Sequence, residues 1–365
     1  MKRFDVNNDG NLTGEYPLFF GKALGLFDTA NEPYPEIEKL DDDQQALFWK
    51  ANDISLIKDA VDMEELDPET LNLVIENLAF QMSGDSFANG LISDLFSPIL
   101  SNNAATSLIS YWSFTEAVHA KAYARIVSEA FKDTNVLLER IKSSEKMLSR
   151  LEGISEVFKQ HHEMLNNFSE AAYERDPSYF RKTTLQTMAA LVSLEGIMFL
   201  GSFASTFAVC ESTQKLQGVD GLVGLIFADE AVSHRNNGLT ILRILRDKEK
   251  YPEWEETIPL MKEILDATVK QECEWADHLF TVCKPLVGFN AEVLKDYTYY
   301  VSKVVYDNIG IPFDFKKVDR DPFSAWMKKH TNADLTQIAQ QESEGANYLT
   351  STSVDDTAEI EEFDF

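Results

Sequence analysis

The sequence predicts an all-α protein, a bundle of long helices built around buried carboxylates. Three observations carry this expectation. Only 16 glycines and 11 prolines occur in 365 residues, and they gather near the apparent ends of elements. From about residue 36 to 331 nearly every stretch has helical periodicity, and the alternating β-branched runs of strands are missing. Several acidic residues also stand singly inside long apolar stretches, where solvation does not account for them.

The elements follow in order. Residues 1–35 are punctuated by Gly, Asn and Pro, and are expected to be extended. Asp5, Asn7, Asp9 and Gly10 imitate the start of a calcium loop, but the twelfth position is Tyr16 and not a bidentate glutamate, so a turn is expected there. The opening basic pair has no apolar run after it, unlike a signal peptide. Asp67-Pro68-Glu69 reads as an N-cap with proline in the first turn, opening a helix towards residue 95. Further helices are predicted near 103–132, 134–166, 176–213, 218–246, 252–280 and 291–308, with no internal repeat and no domain boundary. From about residue 332 the composition shifts, and every charged residue after Gln341 is acidic. A solvated tail is expected there. Its aromatics Tyr348, Phe363 and Phe365 suggest a segment that docks on a partner.

The formal charge of −28, from 33 basic and 61 acidic residues, opposes binding to nucleic acid or to anionic membranes. The cysteines Cys210, Cys273 and Cys283 have neither disulfide-framework nor zinc-like spacing, which points to a reducing, cytoplasmic compartment.

The stretch from Ala189 to Cys210 is long enough to span a bilayer. Its lone charge, Glu195, and the absence of basic or aromatic flanks favour a buried bundle helix instead. A buried glutamate needs a partner, and a metal ion is one. A second helix carries Glu116 and His119, three residues apart and so on one face. Trp112, Phe114, Val118 and Tyr123 around them suggest that this face is interior. Asp229, Glu230 and His234 interrupt another apolar run, and Asp85 lies among apolar neighbours in a fourth. Glu274 and His278 read as a partly exposed pair, and His161 and His162 as residues of a polar helix. Each signal is weak alone. Four helices that each bring a carboxylate to an apolar face, two of them adding histidine, match the ligand set of a ferritin-like dinuclear bundle. Such donors suit iron or manganese better than structural zinc.

Taken in order, these residues resemble the small subunit of class I ribonucleotide reductase. The resemblance implies Asp85, Glu116, His119, Glu195, Glu230 and His234 as ligands of two iron ions, with manganese or a mixed pair possible. It puts Tyr123 at the radical tyrosine, with Phe199, Phe203 and Ile226 as its apolar pocket. Trp49, in QALFWK, matches the electron-transfer tryptophan, with Asp229 and His119 as its route inward. Tyr348, with Glu342 before it, matches the relay tyrosine of the tail. The implied activity is oxygen-dependent formation of a tyrosyl radical that passes to a large subunit, which reduces ribonucleotides; the small subunit would be a homodimer. A ferritin-like oxygenase with its own substrate and an iron-storage bundle are the rival readings. Two departures stand out: Ala228 replaces an arginine, and three residues separate Glu230 from His234 where the family has two. A single wide turn, a π-bulge between Asp229 and Arg235, would bring His234 back to the ligand position. Otherwise His234 points elsewhere and water or Glu230 fills the place.

Overall fold

The computed structural model describes residues 4–331, and every described element is helical apart from isolated bridges such as Phe19 with Leu100. Residues 4–34 are irregular, with turns and isolated bridges and one helical turn, α1 (Gly10–Thr13). The helices α2 (Pro35–Ala46) and α3 (Ile57–Glu65) follow. Asp67 caps α4 (Pro68–Ala88), accepting from the amides of Glu69 and Thr70, as the Asp-Pro-Glu sequence predicts. The predicted helix to residue 95 breaks at Gly90, whose φ of 83° suits glycine, and resumes as α5 (Leu91–Phe96).

Next come α6 (Asn103–Ala130), α7 (Asn135–Ser143) and α8 (Glu145–Asn166). The last two were expected as one helix; Ser144 leaves helical geometry and accepts from the Met147 amide, starting a new N-terminus. A short α9 (Glu170–Arg175) leads to α10 (Pro177–Ser193), the π segment π1 (Leu194–Met198) and α11 (Phe199–Thr213). The second long apolar unit is α12 (Gln217–Ala228), π2 (Asp229–His234) and α13 (Arg235–Asp247). Finally, α14 (Trp254–Val282), α15 (Ala291–Ile309) and α16 (Ser324–Thr331) complete the described fold.

The unit α10–π1–α11 is long and apolar enough to cross a membrane, yet the apolar window that meets this test is wholly buried inside the protein. It is the central helix of the bundle, with α4, α14 and α15 packed around it. An all-round apolar surface is what such a position requires. The helices α4, α6, α10–π1–α11 and α12–π2–α13 thus enclose one core, and each brings acidic side chains into it.

Candidate metal centre

Asp85 comes from the last turn of α4, Glu116 and His119 from the middle of α6, Glu195 from π1, and Glu230 and His234 from π2. All six have zero solvent exposure. Nδ1 of His119 lies 3.1 Å from Oε1 of Glu230 and 3.7 Å from carboxylate oxygens of both Glu116 and Asp85. Nδ1 of His234 lies 3.0 Å from Oε1 of Glu116 and 3.1 Å from Oε2 of Glu230. Glu116, His119, Glu230 and His234 offer donor atoms within 4.8 Å of one another, close enough to surround one cation.

The wide turn expected at the second Glu/His pair is present. Arg235 donates its amide to the carbonyl of Glu230, five residues back, which defines a π turn over Asp229–His234. It takes up the extra residue, so Glu230 and His234 face the same point although they are four apart. A second wide turn was not expected: Phe199 donates to the Leu194 carbonyl, placing Glu195 in π1, which packs against π2.

Electrostatically, four carboxylates and two imidazoles share one fully buried volume. Burial pushes Asp85 up to about 8, though His119 pulls against it, and burial with the charges of Glu230 and Glu116 raises Glu195 well above the carboxylate range. Burial opposes a charged His234, yet the carboxylates of Glu230 and Glu116 push it up to about 10. In metal-free protein, protons therefore supply the cationic charge that the acids demand. Neither oxygen of Asp85 or Glu195 has a hydrogen-bond partner, nor do Oε2 of Glu116, Oε1 of Glu230 and Nδ1 of His119. Buried polar atoms left open in this way are costly. Hard oxygen donors with one imidazole per ion fit a pair of iron or manganese ions, so the residues present fit the implied group.

Around this cluster the other predicted residues fall as follows. Tyr123 is 1% exposed, and its hydroxyl has no hydrogen-bond partner. Burial raises its pKa well above the usual phenol value, with the Asp85 charge adding to it. Phe199, Phe203 and Ile226 are fully buried, and the first two rings stack at 5.9 Å. Nε1 of the buried Trp49 donates to Oδ2 of Asp229 at 2.7 Å, and the same oxygen lies 2.9 Å from Nε2 of His119. The Trp49 and His119 rings are near-parallel at 5.8 Å. A continuous chain thus runs from Trp49 to a nitrogen of the cluster. Tyr348, Glu342, Phe363 and Phe365 lie outside the described residues.

Three expectations need correction. Phe114 is 46% exposed and stacks on the exposed Phe48, because position 114 points away from the face shared by Glu116 and His119. His161 is fully buried, although its helix reads as polar; Nε2 lies 2.8 Å from the Leu95 carbonyl and Nδ1 2.9 Å from the Thr187 hydroxyl. Glu274 is exposed and pairs with Lys146, while the half-buried His278 packs on Trp275 instead. The sequence reading also passed over Thr115, whose hydroxyl lies 2.8 Å from Nε2 of His234.

The family model for the small chain of ribonucleotide reductase matches residues 27–322, most of the chain. The protein belongs to the ribonucleotide reductase small-chain family. The ribonucleoside-diphosphate reductase subunit beta of Haemophilus influenzae is 25% identical over 375 aligned positions, covering 99% of this chain and 98% of that relative. The ribonucleotide reductase R2 subunit from Clostridium botulinum has the same fold, with a TM-score of 0.72 at 18% identity, covering 86% of this chain and 94% of that one. The dimanganese(II)-NrdF of Streptococcus sanguinis also shares it, with a TM-score of 0.64 at 18% identity over 82% and 96% of the two chains. As a ribonucleotide reductase small chain, this molecule is an all-helical member whose Glu/His cluster sits at the centre of the bundle.

Proposed function

We propose that this chain is the radical-generating small subunit of a class I ribonucleoside-diphosphate reductase, an oxidoreductase acting in deoxyribonucleotide synthesis. The observation that carries the proposal is a buried tyrosine in the field of a buried carboxylate and histidine cluster, itself joined by hydrogen bonds to a buried tryptophan.

Asp85, Glu116, His119, Glu195, Glu230 and His234 would hold two metal ions. Such a pair supplies one-electron oxidising power drawn from oxygen, which side chains alone lack. The chain's own residues set what that power acts on. Tyr123 enters as a neutral phenol, because burial and the Asp85 charge keep its proton on. Loss of one electron and one proton leaves a radical, with Asp85, whose charge bears on the phenol, as the proposed destination of the proton. Phe199, Phe203 and Ile226, all fully buried, would exclude water and reductants from that position. Packing and protection are here the same contact.

Asp229 accepts from Trp49 and faces Nε2 of His119, so it fixes the indole and the imidazole at once. That is the arrangement for passing an electron between surface and cluster with a proton shift inside the chain of hydrogen bonds. In this reading the radical travels through Trp49 and Tyr348 to a large subunit, which binds the ribonucleotide. The absence of a phosphate-cradling glycine loop from the sequence agrees with a subunit that does not itself bind nucleotide. A homodimer in the cytoplasm completes the proposal. Iron is the proposed metal; the dimanganese centre named for the Streptococcus sanguinis protein supports manganese as the second choice.

The test is electron paramagnetic resonance after aerobic loading with iron, and separately with manganese. A tyrosyl signal that Tyr123→Phe abolishes, together with ribonucleoside-diphosphate reduction when a large subunit is added, is the expected result. Metal-loaded protein that turns over an organic substrate with no tyrosyl signal would overturn the proposal in favour of an oxygenase.

A further inference from the structure

We infer that Thr115 is the positioning residue for His234: its hydroxyl oxygen accepts a hydrogen bond from Nε2–H and leaves Nδ1 as the only nitrogen offered to a metal ion. The inference rests on the dinuclear reading above and extends it to a residue outside the ligand set.

A threonine hydroxyl has one proton to donate and lone pairs to accept with. Thr115 gives its proton to the carbonyl of Trp112, three residues back in α6, at 2.8 Å. Its second contact, Nε2 of His234 at 2.8 Å, must therefore be one in which oxygen accepts and nitrogen donates. Nε2 carries the hydrogen, and in the neutral ring Nδ1 carries the lone pair. Nδ1 is also the nitrogen that faces Glu116 at 3.0 Å and Glu230 at 3.1 Å. Both Thr115 and His234 are buried, so water does not replace the hydroxyl.

His119 is oriented differently. Its Nε2 faces the carboxylate of Asp229, an anionic acceptor, whereas His234 has only a neutral hydroxyl behind it. The π2 turn gives this contact its importance. A histidine displaced by one residue along a helix needs both backbone and side chain redirected; the wide turn does the first, and Thr115, on the facing helix, does the second. Outer hydrogen-bond partners of ligating histidines characteristically govern metal affinity in this way.

The experiment uses full-length protein stripped of metal and titrated with manganese(II), free ion being followed by electron paramagnetic resonance. Thr115→Val keeps shape and burial but removes the acceptor; Thr115→Ser keeps the acceptor. Two ions should bind wild type and Thr115→Ser alike. Thr115→Val should hold one ion as wild type does and the other roughly 10- to 100-fold more weakly. In wild-type protein loaded with zinc, a diamagnetic probe, nitrogen-15 spectra of the histidines should show His234 protonated at Nε2 and bound through Nδ1. Equal binding of both ions to Thr115→Val, or a His234 bound through Nε2, would overturn the inference while leaving the metal centre standing. A wild-type protein that takes up no pair of ions would instead overturn the dinuclear reading on which it rests.

Discussion

Tyr123 combines almost complete burial with a hydroxyl that bonds to nothing in the protein. A buried hydroxyl with no partner is a cost, so Tyr123→Phe should leave the unfolding free energy unchanged or raise it by about 1 kcal/mol. The same change should keep two metal ions bound and abolish both the radical signal and reductase turnover. Retained turnover in a stable variant would remove Tyr123 from the mechanism. His161 makes a prediction of a different kind. Burial lowers it to about 4, partly offset by the Leu95 carbonyl, whereas in the unfolded chain it titrates near 6.5. Above pH 6.5 both states are neutral and nothing is lost. As pH falls towards 4 only the unfolded chain takes up the proton, so stability declines through that window. Between pH 7.5 and 5 the wild type should lose about 2 kcal/mol more than His161→Asn, measured by urea denaturation. Equal losses would show that His161 is not the group responsible. Nothing in the polar sequence around His161 signals its burial, because its partners, Leu95 and Thr187, are contributed by other helices.

At the level of elements, three buried acidic side chains pin helices to one another. Arg150 of α8 forms a two-point ion pair with Glu272 of α14, at 2.9 and 2.6 Å, with its guanidinium over the rings of Phe80 and Trp275. Glu272→Gln leaves Arg150 buried with one weak acceptor, and should cost about 3–5 kcal/mol in chemical denaturation. A cost below about 1 kcal/mol would mean that water reaches the site. Asp59 of α3 accepts from the amides of Gly218 and Val219, and Asp62 from that of Leu216, so the N-terminus of α12 is capped from a neighbouring helix. Helix existence was legible because apolar periodicity is a property of each segment alone. The break at Gly90 and the restart at Ser144 were present in the sequence as glycine and cap residues, but two helices there carry the same periodicity as one. The π2 turn was foreseeable because the spacing of Glu230 and His234 leaves one residue too many. The π1 turn was not, since a lone Glu195 has no second ligand on its helix to expose a shift in register.

For the whole molecule, the six buried ligand candidates come from four separate helical units, so the centre exists only when the entire bundle is assembled. Metal binding should accordingly be linked to global stability. Removing metal by chelation should lower the melting temperature, by an amount that grows with the affinity of the ions. An unchanged melting temperature would place the ions outside the core. Partner association is proposed for the C-terminal segment. Deleting residues 350–365 should leave metal content and the tyrosyl signal intact while abolishing the heat of binding to the large subunit in calorimetry. Binding that survives the deletion would disprove docking by the tail. The proposal of a docking tail rests on composition alone, acidic with stray aromatics, since the residues after 331 lie outside the described structure.

The wide turn at Asp229–His234 also bears on how such a site is recognised. An insertion inside a core helix ordinarily rotates everything after it by about 100°, turning an apolar face towards solvent. Here the surplus residue is confined to one turn, and α13 still buries Leu239, Leu242 and Leu245. Such a turn is an insertion without a loop, and it is open to reversal. Deleting Val232, which is partly exposed, should restore a regular helix and return the pair to two intervening residues, with metal content retained. A deletion mutant that folds but binds a single ion would show that the bundle has since adapted around the extra residue. It also follows that a fixed-spacing pattern would pass over His234, so relatives with the same insertion are to be sought by the wide turn and not by the motif.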